Sequence, residues 1–152
     1  MPIYTLRRDQ FVPRPLEEVF QFFSDARNLQ EITPHWLSFQ ILTPGPIEIR
    51  PGTLLDYRLK WHGFGIKWRT EIVTWNPPHM FNDVQVRGPY KLWDHTHTFT
   101  AAAGGTRMMD VVKYELPLGM LGAIAHKFGV KRDLEQVFDY RQQVIASLFP
   151  PR

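Results

Sequence analysis

From Thr53 to Leu116 apolar and polar side chains alternate, and beyond Leu118 the repeat lengthens to that of a helix. Thr53–Trp61 alternates most cleanly. Leu55, Tyr57, Leu59 and Trp61 fall on one face of a strand and Asp56, Arg58 and Lys60 on the other. Ile66–Trp75 and Met80–Val86 read as further strands, separated by turns at His62-Gly63-Phe64-Gly65, Asn76-Pro77-Pro78 and Arg87-Gly88-Pro89. Lys91–Leu116 reads as a hairpin, two alternating runs about the small-residue turn Ala101-Ala102-Ala103-Gly104-Gly105. Trp93, His95, His97 and Phe99 share one face of its first strand. Two aromatics beside two histidines suit the wall of a cavity better than a hydrocarbon core.

Upstream, Ile3–Val12 alternates weakly and predicts a first strand, ended by Pro13 and Pro15. Leu16, Val19, Phe20, Phe22 and Phe23 then recur at helical spacing, with Glu17 and Glu18 in the first turn where the helix dipole favours acids. Asn28–Ile32 predicts a second short helix, Asn28 as N-cap and Glu31 three residues on. Trp36–Leu42 predicts a strand, followed by turns at Pro44-Gly45-Pro46 and Pro51-Gly52. Downstream, Leu134, Val137, Phe138, Val144, Ile145 and Leu148 form one stripe of a long helix over Leu134–Phe149, with Asp133, Glu135, Asp139 and Arg141 mostly outside it. Leu118–Gly129 carries three glycines and predicts a less regular helix with a break near Gly129. No repeat or linker divides the chain, so residues 1–152 read as one α+β domain. Its architecture is a curved antiparallel sheet of about seven strands around a terminal helix, with two short helices after the first strand. Such a grip commonly leaves a concave apolar space of the kind that holds small molecules.

Composition narrows the function classes. The 11 Phe, 5 Trp and 5 Tyr supply large inward rings. A net charge of +3 without any Lys/Arg run gives no footprint for nucleic acid. Cysteine is absent, which removes disulfides, thiolate metal sites and thiol nucleophiles. The N-terminus has no apolar leader-like segment, and no apolar run approaches the ~20 residues of a membrane span. A cytoplasmic protein without integral membrane association is the expectation. No phosphate-cradling glycine loop and no Gly-x-Ser-x-Gly elbow is present, so no cofactor is expected.

The passage Val12-Pro13-Arg14-Pro15-Leu16-Glu17-Glu18-Val19-Phe20, with the following Phe-Phe-Ser-Asp-Ala-Arg-Asn-Leu, resembles the first strand-to-helix passage of the START, polyketide cyclase and birch-pollen-allergen (SRPBCC) superfamily. Trp75-Asn76-Pro77-Pro78, Phe81-Asn82-Asp83, Gly88-Pro89-Tyr90 and Trp93-Asp94-His95-Thr96-His97-Thr98-Phe99, with Gly105-Thr106, Asp110 and Tyr114–Gly119, are similar to a bacterial ligand-binding or cyclase/dehydrase-like branch. The resemblance spans nearly the whole chain. It implies the helix-grip fold and a pocket for a hydrophobic ligand, and it implies no reaction.

Three residues of the hairpin carry the chemistry. Strand registers summing to about 205 or 207 set Asp110 opposite His95 or His97, where a carboxylate holds an imidazole's tautomer and raises its pKa. Tyr114 lies on the same face. The cluster reads first as structural or ligand-orienting, since buried polar groups need partners, and second as a proton-transfer site. A metal held by His95, His97 and Asp110 is a third reading, disfavoured because no further histidine pair or cysteine supports it. Tyr57, Trp61, Trp68 and Trp93 are candidate pocket walls. Asp83 and Gln85 share a face with Phe81, and whether it points inward depends on where a bulge falls. Lys127, Lys131 and Arg132 read as a solvated helix face or as a guide for an anionic ligand. The leading expectation is a binder of a small, mostly hydrophobic lipid, polyketide or aromatic metabolite. The alternatives are a cyclase or dehydratase using His95 or His97 with Asp110, and a protein-interaction module docking through a sheet edge or Leu118–Gly129.

Overall fold

A computed structural model describes residues 2–152. Strand β1 spans Tyr4–Val12, helix α1 Leu16–Phe23, and short 3-10 turns follow at Ala26–Gln30 and His35–Leu37. Strands β2 (Gln40–Ile41), β3 (Leu54–Trp61), β4 (Phe64–Asn76), β5 (Met80–Arg87), β6 (Leu92–Ala102) and β7 (Gly105–Glu115) come next. A helix then runs as α2 (Met120–Ala125), one π-turn (His126–Val130) and α3 (Lys131–Leu148). The seven strands form one antiparallel sheet in the order β1-β7-β6-β5-β4-β3-β2. This is the curved sheet around a terminal helix that the alternation predicted, and the helix-grip fold that the resemblance implied.

Local chemistry sets the element ends. The β3–β4 turn is only His62-Gly63, both at positive φ, the two-residue hairpin geometry that suits strand twist. The β6–β7 turn is likewise Ala103-Gly104, shorter than the five-residue turn expected, with Gly104 at φ +80°. Its register sums to 207, which pairs His97 with Asp110 and His95 with Val112. The second short helix is a 3-10 turn capped by Asp25, whose carboxylate accepts from the Arg27 amide. Asn28, the expected cap, instead donates to the Phe22 carbonyl at 2.8 Å. Trp36–Leu42 is mostly not a strand. Pro34 starts a 3-10 turn, Ser38 turns left-handed at φ 46°, and only Gln40–Ile41 pair with β3. The expected break near Gly129 is the π-turn, which inserts an extra residue without ending the helix.

One core cluster seals the space between sheet and helix at the end marked by Val12, Phe20, Phe99, Met108 and Ile145. A second, with Trp93, Val112, Tyr114, Leu134 and Phe138, lies beneath the middle of α3. A third, Leu55, Tyr57 and Ile72, backs the far strands. Register shifts at Arg69/Thr70 and Ile72/Thr74 bend β4 and β5.

Candidate functional site

A cavity of about 450 Å³ opens between the three clusters. Its wall is overwhelmingly apolar: Phe23, Leu55, Tyr57, Ile72, Trp93 and Phe138 on sheet and helices, with Trp61 and Trp68 from the β3–β4 hairpin. Asp25, Asn28, Thr33 and Thr70 also reach the wall, and its other polar side chains gather in two places.

The first is a buried network under the middle of the sheet. His97 Nε2 lies 2.7 Å from Asp83 Oδ2, and His95 Nε2 lies 2.9 Å from Asp110 Oδ1. Arg141, from α3, donates to the same Asp110 oxygen at 3.3 Å. The two imidazoles stack with centroids 3.7 Å apart, and His97 stacks in turn on Phe81 at 4.0 Å. The strand geometry explains the stack. His95 and His97 are two apart on β6, and β5 sets Phe81 opposite His97 and Asp83 opposite His95. The bulges leave Phe81 and Asp83 facing inward. His95, His97, Asp83 and Arg141 border the cavity, whereas Asp110 sits behind them as their common anchor.

Electrostatics divide the two imidazoles. Burial opposes a proton on either. For His97 the close charge of Asp110 and the hydrogen bond and charge of Asp83 outweigh burial and raise its pKa. For His95 burial and the neighbouring His97 charge outweigh Asp110 and lower it. Burial would raise both carboxyls. The charge of Arg141, the bond to His95 and the close approach of His97 instead hold Asp110 well below the usual range, and the bond to His97 lowers Asp83. The surroundings thus favour a proton on His97 and disfavour one on His95, with the Arg141 guanidinium beside the two carboxylates.

The network is not self-satisfied. His97 Nδ1 is 3.1 Å from Asp110 Oδ1 but off the line a hydrogen bond needs, and Arg141 Nε also lacks a partner. They are the two buried polar atoms left unpaired among the described residues. Such groups cost about 1–3 kcal/mol each.

The second polar place is Asp133, on the first turn of α3. It accepts from Trp61 Nε1 at 2.9 Å and lies 2.8 Å from His62 Nε2, tying the β3–β4 hairpin tip to the helix.

Three sequence candidates lie off the cavity wall. Gln85 is beyond the last β5–β6 pair, and its amide closes the following loop, donating to the Tyr90 carbonyl at 2.7 Å and accepting from the Tyr90 amide at 3.0 Å. Tyr114 is buried behind Trp93, and its hydroxyl meets His126 Nε2 at 2.7 Å. Asp110 reaches the cavity only through its partners. Asp133 and Arg141 are the polar wall residues that the helical stripe placed outside. For Arg141 a signal exists, because Leu134, Phe138, Arg141 and Ile145 recur at four, three and four residues and all are buried.

The metal reading drew its third ligand from Asp110. The residues with ligand atoms within 4.8 Å of one another are instead Asp83, His95 and His97. The two rings are stacked and inclined by 27°. Each Nε2 already faces a carboxylate, and a guanidinium sits alongside, so the set has the form of an ion-pair network.

The family described as "Polyketide cyclase / dehydrase and lipid transport" matches residues 12–140. The chain belongs to that family. No curated protein matches it in sequence. Its fold is similar to that of a protein from Chromobacterium violaceum, at TM-score 0.75 and 15% identity over 97% of this chain and 98% of that one. A protein from Thermus thermophilus aligns at TM-score 0.72 and 17% identity, over 95% and 99% of the two chains. The major latex-like protein 151 of Panax ginseng aligns at 0.70 and 11%, over 98% and 99%. At these identities the likeness speaks for the fold alone. Among the described residues no helix is long and apolar enough to cross a membrane.

Proposed function

We propose that this family member binds a small, mostly hydrophobic molecule in the cavity, with the polar end of that molecule against Asp83, His95, His97 and Arg141. A lipid, polyketide or aromatic metabolite has this character. The observation that supports it is the wall itself, an apolar space of about 450 Å³ with one buried ionised network along its side. Apolar walls supply affinity, and a few placed polar groups supply orientation. Asp110 is the anchor that keeps both imidazoles in place, and Trp61, Trp68, Trp93 and Tyr57 are the apolar wall.

A second reading is a cyclase or dehydratase, and one feature favours it. His95, whose pKa is lowered, has Nε2 committed to Asp110 and Nδ1 free of any hydrogen bond to a described residue, while His97, whose pKa is raised, stacks on it. Two imidazoles whose surroundings push their pKa values apart are the kind of pair that general acid–base work uses.

One preparation tests both. Ligand extracted from purified protein and identified by mass spectrometry names the class, and its absence together with failure to take up anilinonaphthalene sulfonate sinks the binding proposal. Replacing both histidines by Gln leaves uptake largely intact in a binder and abolishes turnover of the identified compound in an enzyme.

A further inference from the structure

The helix segment that closes the cavity carries a ridge of uncovered apolar side chains. Leu118 is 76% exposed, Met120 80%, Leu121 66%, Ile124 50% and Phe128 74%. Leu121 and Ile124 are three apart, and Met120 and Ile124 four apart, so they share a helix face. Leu118 is held at φ 69°, a conformation costly for a side chain with no glycine freedom. The ridge is also continuous with the cavity, because Leu118 and Leu121 border it while standing in solvent. Across the mouth lies the β3–β4 hairpin tip, held there by the Trp61 and His62 bonds to Asp133, with Phe64 71% exposed.

Charge singles out these same two segments. Arg58–Arg69 and Leu116–Arg132 carry seven of the 18 Lys and Arg of the chain and none of its 15 Asp and Glu, so the remainder is net acidic. Lys60, Lys67, Lys127, Lys131 and Arg132 among them are exposed.

We infer that this ridge and hairpin tip form a docking surface for an anionic lipid bilayer. Aromatic and aliphatic side chains among lysines and arginines, with the adjoining Asp133 buried, match the headgroup boundary of such a membrane, apolar groups entering the acyl region and cations staying at the phosphates. A protein partner would need no such uniform sign of charge. Docking sets the cavity mouth against the acyl phase, so an apolar ligand passes between membrane and cavity without crossing water. This use rests on the cavity reading above, whereas the docking geometry does not.

The test is sedimentation of the full chain with vesicles of phosphatidylcholine, with and without phosphatidylglycerol. Binding to the anionic vesicles is expected, weakening as salt is raised and slight on pure phosphatidylcholine. Phe128→Glu, at a residue off the cavity wall, is expected to lower vesicle affinity about tenfold or more, the effect of withholding one buried ring from an apolar phase. Dye uptake in vesicle-free solution stays as in the parent. Lys127→Glu with Lys131→Glu, both at exposed positions and so safe for the fold, should abolish the preference for phosphatidylglycerol. Absence of vesicle binding overturns the inference, as does equal binding by the variants. It is also overturned if the chain self-associates and Phe128→Glu makes it monomeric without any vesicle binding, because the ridge then covers a second copy. Vesicle binding by a chain that takes up no dye sinks the cavity proposal and leaves the docking surface standing.

Discussion

Arg141 Nη2 lies 3.3 Å from Asp110 Oδ1, and this contact fastens the middle of the long helix to the central strands beneath the two histidines. Both residues are buried, at 6% and 5% exposure. A guanidinium in that position is costly to desolvate, and the carboxylates of Asp110 and Asp83 offset that cost.

Removing one partner of a buried ion pair leaves the other charge unmatched. Arg141→Met is therefore expected to destabilise the fold by about 3–5 kcal/mol. Adding Asp110→Asn should restore part of that loss, since the uncompensated carboxylate is gone. Urea denaturation of the single and double variants checks this, and a loss below about 1 kcal/mol for Arg141→Met would contradict the ion-pair account.

The two imidazoles should titrate apart. His97, with its pKa raised, stays protonated above the ordinary histidine value of 6.5, and His95, with its pKa lowered, loses its proton below it. Histidine ring NMR across pH resolves the two, and a common midpoint near the ordinary value would refute the division. Asp83→Asn, which removes an acceptor facing His97, should bring the His97 midpoint down.

Stability should follow pH with opposing slopes from these groups. The contribution of His97 is fully present below pH 6.5 and is lost as pH rises through its raised folded value. Neutral His95 works the other way, and stability rises with pH from its lowered folded value up to 6.5. Asp83 and Asp110 stabilise above their unfolded value of 3.8, and that stability is lost as pH falls through their depressed folded values. Denaturation midpoints should therefore change little around pH 6.5 and fall steeply below about 4, with Asp110→Asn flattening the acid limb.

Gly105 tests the close approach of β1 and β7. A Cβ there would sit 2.2 Å from the Val12 carbonyl oxygen, and backbone cannot yield as a flexible side chain does. Gly105→Ala should cost on the order of 1–3 kcal/mol, the range for overpacking. Gly65→Ala, in a hairpin position with nothing within 4 Å, should cost far less on that account. Thermal unfolding of the pair checks the contrast.

The alternation of Trp93, His95, His97 and Phe99 was enough to see an inward face with imidazoles on it, because a strand has one period and a short turn pins its register. It left open which histidine meets Asp110. The 207 register answers with His97 as cross-strand partner, while His95 reaches the same carboxylate through its side chain. Asp83 was legible only as one of two faces, since Val73 and Val86 fall at the register shifts and bulges decide what points in. Gln85 shares that pattern with Asp83, yet it serves a loop because β5 parts from β6 after Val84.

Period, turn residues and composition thus dictated the strand order in sequence, the terminal helix and the aromatic, cysteine-free character of the interior. These follow from local sterics and from which side chains avoid water. The stripe of Leu134, Phe138 and Ile145 was legible from the helical period, but only folding in three dimensions brought Arg141 to Asp110 and Asp133 to Trp61 and His62 from more than thirty or seventy residues away. A charged side chain on a helix reads as solvated until a buried counter-charge from a distant strand makes its burial affordable, and although the helical period marks the place of Arg141, no local pattern names that partner.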